Sequence, residues 1–428
     1  MGASTWQPSK RGPHLLLLFL LAASCTSEAA PTPVPSPTQG PDVVVATASP
    51  TLELTAEPGP SATPTPNLPI QFVPWPEQGN LLLPADIEVT FEASLADLPP
   101  GGYFLRWEER DTRWQTIEVV SFPQREVSAL VSGSGVDFFY GMQPSNFAGS
   151  TYISPVSEPR HELDVFELRG QRSWRLGPMC DVGLGGLSPS GKYFLSACDP
   201  SCPACANDFT PGVPADFKVF EVISVTDGTG FRVAFPSKGG RDLPWLSWLG
   251  EEEVIASRVW IDERFYVCLI NVEERTARCP YYFEDGYGVW DDVVTGEHVP
   301  LILPPGSGAM QGLIMPRDCL TRGECEGIID MGEIPGPLYL SPSGERLVLI
   351  NSGPLHEDNV VAFLEPPGWG LDRLTQLNDS YGLDAWCPDE SCVLLEGPGF
   401  PRPSYRLDPD GSLTFYPYDN IIGSFTIP

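Results

Sequence analysis

The residues able to do chemistry are unevenly supplied in this chain, which has 11 cysteines but only 4 histidines. The tightest cysteine spacing is Cys202-Pro203-Ala204-Cys205, with Cys198 and Cys180 upstream. A CxxC pair can hold a soft metal, cycle between thiol and disulfide, or serve as a bonded brace. Zinc wants four ligands, and neither a second CxxC nor a histidine lies close by, so the bonded reading is favoured. His14 sits near the start, and His161, His298 and His356 are scattered. His161-Glu162-Leu163-Asp164-Val165 stops short of the HExxH zinc pattern. No GxSxG elbow for a serine nucleophile occurs. Gly183–Gly186 and Gly133–Gly135 are not followed by helical periodicity, so they are not phosphate loops. With 56 Asp and Glu in the chain, paired carboxylates single out no acid–base site. No catalytic residue and no cofactor is expected.

What must position these residues follows from composition. The chain of 428 residues carries 48 Pro and 42 Gly but only 19% charged residues. Pro and Gly punctuate turns and break helices, so many short strands are expected. The formal net charge is −31. A nucleic-acid binder needs a basic surface to neutralise phosphates, so nucleic acid is excluded as a partner.

A repeat organises the chain. Ser188-Pro189-Ser190-Gly191-Lys192-Tyr193-Phe194-Leu195 and Ser341-Pro342-Ser343-Gly344-Glu345-Arg346-Leu347-Val348-Leu349 are each a turn followed by a strand. Trp386-Cys387-Pro388-Asp389-Glu390-Ser391-Cys392-Val393 is a third copy, and weaker ones follow. The turns fall at 99, 144, 189, 249, 295, 342 and 388, with successive spacings of 45, 45, 60, 46, 47 and 46. The long spacing contains the Cys198–Cys205 loop. Each unit then adds a hairpin, such as Phe217–Val225 and Phe231–Phe235 around Asp227-Gly228. Four strands at a period near 46 define a propeller blade. The fold class is therefore all-β, a β-propeller of four-stranded blades over residues 68–428. Seven blades are preferred, with six if 282–335 is an insertion.

The chain resembles the TolB-type, WD-repeat-like propellers, whose blades carry a Ser-Pro-Asp-Gly-Lys turn before a strand. Ser188–Lys192 and Ser341–Glu345 carry the resemblance, with Ser190 and Ser343 at the Asp position. It implies a fold and not a function.

The amino terminus reads as an export signal. Lys10 and Arg11 precede the apolar run Leu15–Ala23, which is far shorter than the ~20 residues a spanning helix needs. Leu21-Ala22-Ala23-Ser24-Cys25 resembles the lipobox of bacterial lipoproteins, with Ala22 where that family more often has Leu. The resemblance implies a signal peptide over 1–24 and lipid on Cys25, the first mature residue. An ordinary secretory signal is the alternative. Residues 25–67, rich in Pro, Thr and Ser, read as a disordered tether. The localisation expected is extracytoplasmic, on a membrane through lipid.

The other ten cysteines then pair. Cys268 and Cys279 are equidistant from the Glu273-Glu274 turn, Cys387 and Cys392 flank another, and Cys319 and Cys325 close a local loop. Cys180–Cys198 and Cys202–Cys205 are favoured for the rest, with the other two connectivities open. One further constellation follows from the repeat. Asp137, Asp181, Asp242, Asp285, Glu333 and Asp379 each lie 7 to 10 positions before a turn, and corresponding positions would gather them near one mouth of the channel. Such a ring would attract a cation, calcium being the candidate, or a basic segment. The functional expectation is a non-catalytic binding or scaffold module for a protein, peptide or glycan. The alternative is a propeller glycosidase or lyase using carboxylates at the channel mouth.

Overall fold

Apolar runs such as Leu347-Val348-Leu349-Ile350 decide the architecture, because all four side chains are buried. Successive strand residues point to opposite faces, so a strand of this kind needs a partner layer on each side. In the computed structural model Leu347 and Leu349 join one core cluster, while Val348 and Ile350 join another. The described residues are 69–74, 82–109, 114–136, 147–156, 162–177, 186–197, 217–237, 244–289, 293–303, 310–322, 325–351, 359–366, 369–370, 375–377, 379, 381–397 and 403–428. All fall in the unit Pro58–Pro428.

Seven antiparallel sheets form the blades of a β-propeller. Blade 1 holds β2 (Glu88–Phe91), β3 (Gly101–Glu109), β4 (Trp114–Phe122) and β5 (Val127–Ser134). Blade 2 holds β6 (Phe147–Ala148), β7 (Thr151–Val156), β8 (Glu162–Glu167) and β9 (Arg172–Leu176). Blade 3 is β10 (Tyr193–Ala197), β11 (Phe217–Ser224) and β12 (Gly230–Pro236), with Leu187 bridging to Phe194 on its inner side. Blade 4 is β13 (Trp245–Trp248), β14 (Glu253–Ile261), β15 (Arg264–Asn271) and β16 (Thr276–Phe283). Blade 5 is β17 (His298–Leu303), β18 (Met310–Pro316) and β19 (Ile329–Ile334), with Gly288 bridging to Ile302. Blade 6 is β20 (Leu338–Leu340), β21 (Leu347–Asn351), β22 (Asn359–Leu364) and β23 (Thr375–Leu377). Blade 7 is β24 (Gly382–Trp386), β25 (Val393–Glu396), β26 (Pro403–Leu407) and β27 (Leu413–Asp419). The core is the set of seams between neighbours, as where Ile153 and Val165 of blade 2 meet Phe194 and Ile223 of blade 3.

Two features of the ring lie beyond the repeat. The segment before the first turn does not supply the inner strand of blade 1. That strand is β28 (Ile421–Ile427), from the other end of the chain, paired with β3 through Phe425 and Tyr103. The segment before that turn is β2, which pairs with β5 at the outer edge. Likewise β1 (Gln71–Pro74) adds an outer strand to blade 3 by pairing with β12. The turn expected at residue 144 is Gly149-Ser150, between β6 and β7.

Alternation of direction puts the first-to-second and third-to-fourth turns of every blade at one end of the ring. The crossovers to the next blade lie at the other. At the turn end the repeated motif has a physical reason. Ser188 Oγ accepts the Tyr193 N–H at 3.1 Å, and Ser341 Oγ accepts that of Arg346 at 3.2 Å. The fourth residue turns back with positive φ, 75° at Gly191, 73° at Gly344 and 58° at Glu390, which Gly adopts without strain. At the two glycines a side chain would also strike the preceding blade. A Cβ on Gly191 would stand 2.6 Å from the Ala148 carbonyl, and one on Gly344 would overlap the Thr295 carbonyl. Ser343 N–H and Oγ donate to Glu390 at 2.6 and 2.8 Å, tying blade 6 to blade 7. The motif is thus an interblade rivet.

Candidate functional site

Three of the expected cysteine pairs lie in the described residues and are bonded. Cys268–Cys279 joins β15 to β16, Cys319–Cys325 closes the loop after the short helix Arg317–Arg322, and Cys387–Cys392 closes the turn after β24. The last spans the positions that Ser188 and Tyr193 occupy in blade 3, so the disulfide replaces the serine cap. Cys25, Cys180, Cys198, Cys202 and Cys205 lie outside the described residues. Disulfides fit a compartment outside the reducing cytoplasm. No helix among the described residues is long and apolar enough to cross a membrane.

Of the six acidic positions, Asp137, Asp181 and Asp242 lie outside the described residues. Asp285, Glu333 and Asp379 are exposed at the crossover end, Glu333 near the end of an outer strand and the other two just after one. For Glu333 and Asp285 the radial place differs from the expectation of a channel mouth. Glu333 lies within β19, an outermost strand, paired with Gln311. Asp285 follows two residues after outermost β16. These two therefore belong to the rim, because the crossover begins at the outside before it runs inward. Asp285-Gly286-Tyr287-Gly288 and Asp379-Ser380-Tyr381-Gly382 share the pattern Asp-x-Tyr-Gly. In both, burial first, with the carboxylate adding to it, raises the tyrosine pKa above its ordinary value. Among the described residues no three His, Cys, Asp or Glu converge as metal ligands.

At the opposite end a cleft of about 380 Å³ opens between blades 3 and 4. Lys192, Tyr193, Asp227, Phe231, Glu273 and Arg275 line it. Its charged groups already have partners within the chain. Lys192 Nζ lies 3.0 Å from Glu273 and 4.8 Å from the Tyr193 ring centre. The guanidinium of Arg275 covers Phe231 at 5.3 Å, and Asp227 accepts the Thr229 N–H and hydroxyl. The bond to Glu273, and after it that to Tyr193, raises the Lys192 pKa and favours the protonated amine. The cleft is a polar seam.

Buried titratable groups elsewhere are cross-strand ties that the sequence reading missed. Arg175 grips Asp164 through Nε and Nη2 at 2.6 and 2.9 Å, and reaches Glu162 at 3.0 Å. Arg232 pairs with Glu221 at 3.0 Å, their side chains 3% and 0% exposed. Arg106 approaches Glu118 at 3.4 Å. The sequence signal was available: an acid and an arginine at facing positions of neighbouring strands. Burial raises the Asp164 pKa, opposed by Arg175. His298 packs edge-on against Trp369, and His161 and His356 lie outside the described residues.

No family model matches the chain, and no curated protein does. Solved structures do. Hydrazine synthase of Kuenenia stuttgartiensis matches with 14% identity over 63% of this chain and 75% of its own, at a TM-score of 0.41. TolB from Acinetobacter baumannii matches with 11% identity over 77% and 83%, at 0.39. A functionally unknown protein from Desulfotomaculum acetoxidans matches with 10% identity over 76% and 98%, at 0.44. Likeness at these scores adds nothing to the strand order, which by itself defines the class as a seven-bladed β-propeller.

Proposed function

We propose that this chain is a lipid-anchored, extracytoplasmic propeller that acts as a non-catalytic binding or scaffold module for a protein, peptide or glycan. Cys25 carries the lipid, residues 25–67 form the tether, and residues 68–428 form the propeller. A tether of this length reaches on the order of 40 to 100 Å, depending on stiffness, and so stands the ring off the membrane. The observation that supports the binding role is the series of exposed carboxylates Asp285, Glu333 and Asp379 at the crossover end of successive blades. Membrane fractionation of the full chain tests the anchor. The native chain sediments with membranes and its amino-terminal peptide carries acyl mass, while Cys25→Ser leaves the protein in the soluble fraction. An unmodified, released amino terminus in the native chain would refute it.

A further inference from the structure

The outer face of blade 4, where it meets blade 5 at the crossover end, carries a ladder of aromatic rings. Tyr281 and Phe283 share one side of β16, with ring centres 5.0 Å apart. Phe283 is followed by Tyr287 of blade 5 at 5.1 Å. All three are half-buried, backed by the core between blades 4, 5 and 6. The helix Arg317–Arg322 packs beside β16 through the bond from Arg278 to the Thr321 carbonyl. That contact lies toward the start of β16, away from the ladder. Exposed carboxylates stand around the ladder: Asp285 on the loop, Asp330 and Glu333 on β19. Register puts Asp330 and Glu333 opposite Leu313 and Gln311, and Gln311 accepts the Tyr287 hydroxyl at 3.0 Å. Burial raises the Tyr287 pKa, and Asp330 and Asp285 add to it.

Ring geometry narrows the ligand. Interplanar angles of 66° and 46° along the ladder leave no flat platform for a sugar face. Tilted rings do wall a compact cation, and carboxylates complete its charge. Elsewhere the protein covers aromatic faces with its own cations: Arg264 over Tyr282 at 4.3 Å, Lys192 over Tyr193, Arg275 over Phe231. Among the described residues no Lys or Arg covers Tyr281, Phe283 or Tyr287. Extended segments also suit such an edge, because β1 lies along the outer edge of blade 3 with Phe72 on Phe231 at 5.9 Å.

We propose that the surface patch formed by Tyr281, Phe283 and Tyr287 with Asp285, Asp330 and Glu333 binds a lysine or arginine side chain of an extended basic segment in a partner protein. This rests on the binding-module reading and gives that module its partner chemistry. The probe is a fluorescent hexalysine peptide, titrated at 0.3 M salt into the full chain and measured by anisotropy. Phe283→Leu keeps the apolar bulk and removes the ring, and affinity should fall about two- to fivefold. Asp330→Asn should cost a similar factor. Asp410→Asn, an exposed carboxylate on the blade 7 hairpin, controls for general attraction to an acidic protein and should change little. Unchanged urea midpoints show that each variant folds. If all three variants bind alike, or if hexalysine does not bind, the patch is not the site. Neither result touches the membrane anchor, which the Cys25→Ser fractionation judges independently.

Discussion

Replacing Gly344 by alanine isolates the rivet between blades 5 and 6. Two costs add. Gly344 has φ of +73°, which costs an L-residue about 1–2 kcal/mol. The new Cβ would also overlap the Thr295 carbonyl. Backbone of the preceding blade has to give way, at a cost of about 1–3 kcal/mol, as for overpacking elsewhere. The expected loss is therefore about 2–5 kcal/mol. Gly332→Ala supplies the control, since Gly332 has φ of +67° and nothing within 4 Å of a built Cβ. Only the conformational cost of about 1–2 kcal/mol applies there. Urea unfolding of the full chain, with disulfides intact and tryptophan fluorescence as readout, measures both. Equal midpoints for the two variants would refute the interblade role of the turn.

Other expectations follow from buried groups. The Tyr416 hydroxyl is buried without a hydrogen-bond partner among the described residues, and burial pushes its pKa up to about 12. Tyr416→Phe should thus gain about 1 kcal/mol at neutral pH. The raised pKa means that the stability tied to neutral Tyr416 is intact below pH 10 and lost as pH climbs toward 12. That loss, about 1.4 kcal/mol per pH unit, should vanish from the alkaline denaturation profile of Tyr416→Phe. Arg232→Met takes the guanidinium from wholly buried Glu221 and should cost about 3–5 kcal/mol, most of it recovered by adding Glu221→Leu. Removing the Cys387–Cys392 bond should cost about 2 kcal/mol by loop entropy. Cys387→Ser with Cys392→Ala should lose about 1 kcal/mol less than the double alanine variant, because the introduced hydroxyl can cap the turn as that of Ser188 does. Denaturant midpoints at matched pH check both comparisons.

The repeat made the blades legible because each blade solves the same local problem. Ser188-Pro189-Ser190-Gly191 and Ser341-Pro342-Ser343-Gly344 encode a capped turn with positive φ, and the apolar runs beside them encode strands buried on both faces. Cys268 with Cys279, and Cys387 with Cys392, could be paired on the chain because a hairpin fixes which residues face each other. These are short-range rules, and the amino-acid sequence by itself determined them.

Tertiary structure alone decided the rest. Nothing local distinguishes β28 as the inner strand of blade 1 or β1 as an outer strand of blade 3, since an edge accepts any extended segment that fits. The acidic positions share a place in the repeat, but only the radial course of each crossover puts Asp285 and Glu333 at the rim. Tyr281, Phe283 and Tyr287 read as ordinary strand and loop residues. They become one ladder because blade 4 ends where blade 5 begins, a proximity set by the closure of the ring and written in no single segment.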